Sequence, residues 1–177
     1  PIAVPQQDIV WGAFYMTYTL DDDAPLPQEK MKKFCHENEA VSGYLLKFIG
    51  LQERILVRFG ETTKNRMSDD ERVLPRIETT VGRILFNKIL PNELPYYNTR
   101  IDKKMMGEIV LTALEKCGIE HTAEMLDNIK EVCAKYLTDS GLSFGMDDIP
   151  ALPEKAALIK EAENRIDEVQ SQYEDGL

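Results

Sequence analysis

The last quarter of the chain carries the pattern that most constrains its fold, a helical stretch from Pro153 to Asp175. Its apolar residues recur at alternating steps of three and four, which is the spacing of a coiled-coil seam. Most other positions are charged or polar, so a narrow apolar stripe runs along a polar rod, and we expect a second helix to cover it. The predicted partner-binding seam consists of Ile159, Ala162, Ile166, Val169 and Tyr173.

Both ends of the chain suggest a piece of a longer polypeptide. Gly176 is a plausible C′ residue for the last helix, and Leu177 would supply the hydrophobic contact that follows such a stop. The sequence begins with Pro1, and we recognise no signal peptide, transit sequence or transmembrane run in it. We therefore expect the partner helix to lie outside this sequence.

Composition narrows the class of protein. The 177 residues suit one medium domain with or without an appendage, and 43% apolar residues are enough for a core. The formal net charge of -10 argues against a surface that grips a phosphate backbone by itself. The three cysteines have no disulfide-framework spacing, so we expect a reducing, cytoplasmic location. Because we recognise no transmembrane run, we expect no membrane partner.

Hydrophobic periodicity predicts a helix-rich α+β fold with a small antiparallel hairpin and one protruding C-terminal coiled-coil helix. The hairpin strands are expected near 55–59 and 73–77, with Pro75 confining the second strand to an edge. Residues 21–28 are expected to form a solvated loop and 142–148 an extended segment. Helices are expected at 7–17, 38–48, 81–89, 102–117 and from Thr122 onward.

Two of these helices have specific predicted features. The 38–48 helix should bury Ala40, Val41, Tyr44, Leu45 and Phe48 on one face. The helices after residue 100 should start at the caps Asp102 and Thr122 and be separated by a stop at Gly118. The inward face of the second should carry Leu126, Ile129, Cys133 and Tyr136.

No catalytic signature is recognisable in the sequence: it has no phosphate-binding loop, nucleophile elbow or HExxH motif. Cys117 and His121 stand four residues apart, but no such pair has structural-zinc spacing, and buried free cysteines are common core residues. Asp147 and Asp148 form the other candidate metal pair, although acidic residues also favour the start of a helix. We predict no catalytic and no metal-binding residue in the chain.

Three blocks of the sequence resemble one family, in order. Pro1–Thr17 (PIAVPQQDIVWGAFYMT) is similar to the segment that follows the catalytic aspartate loop in the β′ subunit of bacterial DNA-directed RNA polymerase. Glu78–Pro91 (ETTVGRILFNKILP) and Tyr136–Leu177, which begins YLTDSGLSFGMDDIP, resemble two later blocks of that subunit. Weaker similarity fills the intervals, so the resemblance covers essentially the whole chain.

The resemblance implies that residues 1–149 form the pore domain and that 150–177 begin the funnel with the first rim helix. The pore lines the secondary channel, which admits nucleoside triphosphates and receives the extruded RNA 3′ end. The enzyme is a nucleotidyltransferase, and its magnesium is bound by an Asn-Ala-Asp-Phe-Asp-Gly-Asp loop that is absent from this sequence. The fragment alone is therefore expected to be inactive and to hold no cofactor.

The resemblance also implies candidate residues along the nucleotide channel. Gln7 matches a glutamine that faces the route of the nucleotides, and Arg83 and Asn87 are the next candidates. A structural alternative for Arg83 and Asn87 is that they cap and pin a short helix. Asp139 stands where many relatives have arginine, and Gln6 where they usually have serine.

The implied partners are the remaining polymerase subunits β, α and ω and the transcription factors that dock at the rim helix, with DNA and RNA bound only by the whole enzyme. An alternative from another class is a free-standing acidic intracellular adaptor whose last helix recruits a coiled-coil partner. The parent reading frame separates the two, because only the polymerase requires an aspartate-rich loop upstream and a second rim helix downstream.

Overall fold

The computed structural model describes residues 4–19, 29–150 and 152–176. The chain divides into two compact units, one ending at Gly141 and the other starting at Leu142. The fold is helix-rich α+β with a small sheet and a long C-terminal helix, as predicted. The elements of the first unit are α1 Asp8–Thr17, β1 Lys32–Phe34, α2 Glu37–Leu45, β2 Arg54–Val57, α3 Glu61–Lys64, α4 Asp69–Arg72, β3 Ile77–Thr80, α5 Val81–Lys88 and α6 Lys103–Ser140.

The sheet has the order β1-β2-β3. The predicted antiparallel hairpin is confirmed in β2 and β3, where Arg54 lies opposite Thr80 and Val57 opposite Ile77. The predicted bounds of the second strand were wrong: it starts two residues after Pro75, because proline cannot donate a ladder hydrogen bond. Strand β1, parallel to β2, was not predicted because three residues are too few for a periodic signal.

Helix α1 lies against both α5 and α6, and two glycines bring the backbones together. A Cβ atom on Gly12 would lie 2.3 Å from the Cys133 carbonyl oxygen of α6. A Cβ atom on Gly82 of α5 would lie only 1.8 Å from the Met16 carbonyl oxygen of α1. Both distances are shorter than any real Cβ contact, so these helix pairings require glycine.

The predicted break between two helices at Gly118 is confirmed: α6 consists of two helical stretches that meet at this residue, whose φ of 78° and ψ of 179° are not helical. Asp102 caps its start as predicted, because its Oδ1 accepts from the Met105 N–H at 2.8 Å. The prediction that Thr122 caps a second helix was wrong. Its hydroxyl donates to the Gly118 carbonyl at 2.7 Å within the helix, which resumes directly after the break. The inward face is confirmed, with Ile129 and Cys133 buried and Leu126 and Tyr136 half-buried.

The predicted apolar face of α2 is only partly correct. Ala40 is buried, and Val41 and Tyr44 pack against the core, but Leu45 is 70% and Phe48 72% exposed. The helix ends at Leu45, before the expected periodicity runs out. The chain then turns at Lys47, whose φ is 61°, and the Phe48 N–H donates to the Gly43 carbonyl at 2.9 Å. This left-handed stop carries Phe48 away from the helix face.

The left-handed turn at Lys47 gives a stability prediction. Lys47→Gly should raise the free energy of unfolding by roughly 0.5–1 kcal/mol, because glycine adopts this conformation without the Cβ penalty. Denaturant unfolding of the chain measures the change, and Lys47→Ala is the control that removes the side chain but keeps the strain. Equal stability of the glycine and alanine variants would contradict the prediction.

In the second unit, residues 142–148 are not simply extended as predicted. A single 3-10 turn spans Met146–Asp148, and the Asp148 carboxylate accepts from the Gly145 N–H at 2.7 Å. Helix α7, Lys155–Glu174, confirms the predicted long helix, and Gly176 has the positive φ of 80° expected of a C′ residue. The predicted roles of Leu177 and of the loop at 21–28 fall outside the described residues.

Candidate functional site

Gln7 occupies the N-cap position of α1, and its side chain is exposed. Its carbonyl accepts from the Trp11 N–H at 2.9 Å, but its side chain makes no cap hydrogen bond. Its φ of 49° and ψ of -121° are unusual for a residue with a Cβ atom. Such strain persists only where the surrounding structure holds it, and it is frequent at functional sites.

Arg83 lies on the first turns of α5 and is half-buried. Its Nε–H donates to the carbonyl of Thr17, the last residue of α1, at 3.1 Å. A guanidinium in this place suits the partial negative charge at a helix C-terminus. The Arg83 backbone N–H donates to the Thr80 hydroxyl at 3.2 Å, so Thr80 caps the start of α5.

Asn87, one turn further along α5, is only 2% exposed. Its Nδ2 donates to the carbonyls of Arg83 at 2.9 Å and Tyr97 at 2.8 Å, and its Oδ1 accepts from the Tyr97 N–H at 2.8 Å. Both amide protons and the amide oxygen are therefore engaged within the fold. This geometry favours the structural alternative for Asn87, which pins the segment around Tyr97 to α5.

The structure brings Arg83 and Asn87 together but not Gln7. Arg83 reaches the C-terminal end of α1, whereas Gln7 precedes its first residue. A helix of 10 residues is about 15 Å long. The three candidates therefore mark the two ends of α1 rather than one pocket.

Two polar residues that the sequence did not single out make hydrogen bonds inside the fold, the buried Thr17 and the half-buried Arg66. Thr17 is fully buried, and its hydroxyl donates to the Ala13 carbonyl at 2.7 Å and accepts from the Ile101 N–H at 2.8 Å. A threonine closing an apolar run was the available signal, but its distant partner Ile101 could not be read from spacing.

Arg66 was the second missed residue. Its Nε–H donates to the Leu94 carbonyl at 2.7 Å, and its Nη1 lies 3.5 Å from the Asn87 carbonyl at the end of α5. Its Nη2 is buried and has no hydrogen-bond partner among the residues that the structure describes. Burial is the main cause that lowers the pKa of Arg66. Arg66 therefore helps to hold the 94–97 segment against α5.

Two of the three cysteines, Cys133 and Cys117, lie in environments that disfavour the reactive thiolate. Cys133 is buried, and burial raises the pKa of its thiol to about 12, which disfavours the reactive thiolate. Cys117 is half-buried with its Sγ 3.9 Å from Glu93 Oε2, and burial also raises the pKa of Cys117. His121 lies within α6, three residues after the break at Gly118.

Within the described ranges, no group of three or more His, Cys, Asp or Glu residues is placed to hold a metal ion. In the same part of the chain, none of the helices is both long and apolar enough to cross a membrane.

The predicted seam lies along α7, in which no residue is buried. Ile159 is 47% exposed, and exposure rises to 81% at Tyr173 near the end of the helix. Ile166 and Val169 lie between them and are also exposed. The seam is thus an apolar stripe that solvent reaches in this structure.

Comparison with known proteins identifies the family. The sequence model described as RNA polymerase Rpb1, domain 3, matches residues 1–149. The whole chain is 38% identical to the DNA-directed RNA polymerase subunit beta' of Desulforamulus reducens, covering 14% of that protein. The same subunit of Pelotomaculum thermopropionicum is 37% identical over the whole chain, again covering 14%. For Thermotoga maritima the identity is 34%, and the chain covers 10% of the relative.

The chain thus spans between 10% and 14% of the length of these relatives. All of its residues are included in each match, and so are the three blocks on which the resemblance rests. The chain belongs to the RNA polymerase Rpb1 domain 3 family, in the form found in the β′ subunits of bacterial RNA polymerase.

Proposed function

We propose that the chain is part of the β′ subunit of a DNA-directed RNA polymerase, a nucleotidyltransferase, and that it lines the secondary channel. The observation that carries this proposal is the similarity to β′ subunits across 100% of the chain. Residues 1–149, the extent of the family match, correspond to the proposed pore domain. The chain would act in transcription together with the other polymerase subunits.

The proposed contribution of this chain is to shape the channel rather than to perform chemistry. Its described residues do not fit a magnesium site, since they contain no cluster of ligands. From the resemblance to β′ subunits, the metal-dependent transfer of the nucleotidyl group is proposed to belong to other parts of the enzyme. Gln7 at the exposed start of α1 and Arg83 at its other end are the proposed contacts for passing triphosphates or RNA.

The second unit is proposed to serve assembly at the channel rim. The exposed stripe of α7 offers apolar surface, whose burial stabilises by about 25 cal/mol per Å². A neighbouring helix of the same subunit is the proposed cover for this stripe. The polar outer face would then remain available to transcription factors that enter the channel.

Gln7 gives the test of this function. In an assembled polymerase, Gln7→Ala in full-length β′ should raise the KM for nucleoside triphosphates or slow transcript cleavage by roughly threefold to tenfold, the effect of losing one hydrogen bond. Yield of the assembled enzyme should stay unchanged, because the side chain is exposed and makes no cap bond.

The neighbouring Gln6→Ala is the matched control, since Gln6 is also exposed and precedes the helix. Gln7→Gly supplies a second variant that removes the amide without a Cβ atom at the strained φ. Normal elongation and cleavage in both Gln7 variants would remove Gln7 from the channel and leave it a purely structural N-cap.

A further inference from the structure

Thr17 joins three elements at the end of α1. Its side chain is fully buried. Its hydroxyl donates to the Ala13 carbonyl one turn earlier and accepts from the Ile101 N–H, 84 residues away in sequence and next to the cap of α6. Its carbonyl accepts from the Nε–H of Arg83 on α5. A single threonine thus connects α1, α5 and the start of α6.

The position of that carbonyl depends on how the last turn of α1 is held. Carbonyls at a helix C-terminus lack intrahelical partners, so their orientation is set by neighbouring groups. The Thr17 hydroxyl fixes the turn from two sides, at 2.7 Å to Ala13 and 2.8 Å to Ile101. A guanidinium is a planar fork, so the direction of one N–H bond constrains the whole plane.

We propose that Thr17 is a positioning residue for Arg83. The Thr17 carbonyl, which accepts from the Arg83 Nε–H, orients the guanidinium toward the triphosphate of a nucleotide in the channel. The triphosphate is the ligand because planar guanidinium groups recognise phosphate oxygens with paired hydrogen bonds. The positioning depends on the hydroxyl group, since valine has the shape of threonine without its hydrogen bonds. This inference rests on the proposed channel function.

The experiment uses full-length β′ in the assembled polymerase and measures KM and kcat for single-nucleotide addition. Thr17→Val should raise the KM for the nucleotide by about threefold to tenfold, as expected for one weakened hydrogen bond to a charged group, with kcat changed less than about twofold. Thr17→Ser, which keeps the hydroxyl, should restore the original KM. Arg83→Met combined with Thr17→Val should be no worse than Arg83→Met alone.

The possible outcomes distinguish the positioning role of Thr17 from the proposed channel role of Arg83. If Arg83→Met leaves the KM unchanged, Arg83 is no channel contact and that part of the proposed function is wrong. If Arg83→Met raises the KM but Thr17→Val does not, or if their effects multiply, the positioning role is overturned. Should Thr17→Val fail to assemble, Thr17→Cys provides a weaker hydrogen-bonding side chain of similar size. A wild-type KM for Thr17→Cys would equally overturn the proposal.

Discussion

Replacing Gly82 by alanine should lower the free energy of unfolding of this chain by at least about 3 kcal/mol, a large effect for one added methyl group. The new Cβ atom would stand 1.8 Å from the Met16 carbonyl oxygen and 2.8 Å from the carbonyl carbon. The obstacle is helix backbone, which cannot rotate away as a flexible side chain can. Helices α1 and α5 would have to separate.

Separation would also break contacts that depend on the same approach. The Arg83 Nε–H donates to the Thr17 carbonyl at 3.1 Å between the two helices. A shift of α5 would in addition strain the hydrogen bond from the Gly82 N–H to the Leu51 carbonyl, which is 2.9 Å long. We therefore expect Gly82→Ala to weaken the attachment of α1 as well as the local packing. Denaturant unfolding followed by far-ultraviolet circular dichroism measures the loss.

Gly107→Ala is the matched control. Gly107 lies within α6, and a Cβ atom there would meet no atom within 4 Å. Because alanine is the better helix former, this variant should gain up to about 1 kcal/mol. A Gly82→Ala protein as stable as the Gly107→Ala protein would show that α1 and α5 do not approach as closely as described.

The close glycine contacts show why the fold could be predicted only in part. Local periodicity correctly gave the helix-rich class and the long C-terminal helix, because a helical pattern repeats over many residues. It also gave the hairpin, but the bounds of the second strand were wrong because a strand of four residues carries little periodic signal. The approach of Gly82 to Met16 leaves no periodic trace, since any residue with a helical φ fits the local pattern. Only the tertiary arrangement makes glycine necessary there.

The errors have equally local causes. The helix α2 stops at a lysine in a left-handed conformation, where glycine is the usual signal, so the stop was placed too late and Phe48 was assigned to the core. Thr122 resembles a cap, but the glycine before it already restarts the helix. In both cases the residue type at the helix end did not predict the backbone conformation that the chain adopts there.

The candidate site, too, could be predicted only in part from the sequence. Its residues came from resemblance alone, and spacing in the sequence could not show that Arg83 contacts the end of α1. Nor could it show that Asn87 contacts Tyr97, because that partner lies beyond the end of α5. Hydrogen bonds between separate segments decide what these polar residues do.

Asn87→Leu should destabilise the chain by about 3 kcal/mol, because it leaves both the N–H and the carbonyl of Tyr97 without their partners. Leucine has a similar branched shape and is larger than asparagine, so the loss would come from the missing hydrogen bonds and from overpacking rather than from a cavity. Asn87→Asp keeps an acceptor for the Tyr97 N–H but places a carboxylate at a site that is only 2% exposed, so it should also be destabilising. Equilibrium unfolding of the three proteins measures the order.

The exposed Asn92, in the turn after α5, is the control, and Asn92→Ala should change stability by less than about 0.5 kcal/mol. If Asn87→Leu is as stable as Asn92→Ala, the hydrogen bonds from Asn87 to Tyr97 contribute little to stability, and the result favours a direct role of Asn87 in the channel. If the predicted loss is found, any effect of Asn87 variants on nucleotide use should follow their stability. Gln7 variants should then alter nucleotide use without such a correlation, because the Gln7 side chain is exposed and makes no cap hydrogen bond, whereas Asn87 has both amide protons and its amide oxygen engaged inside the fold.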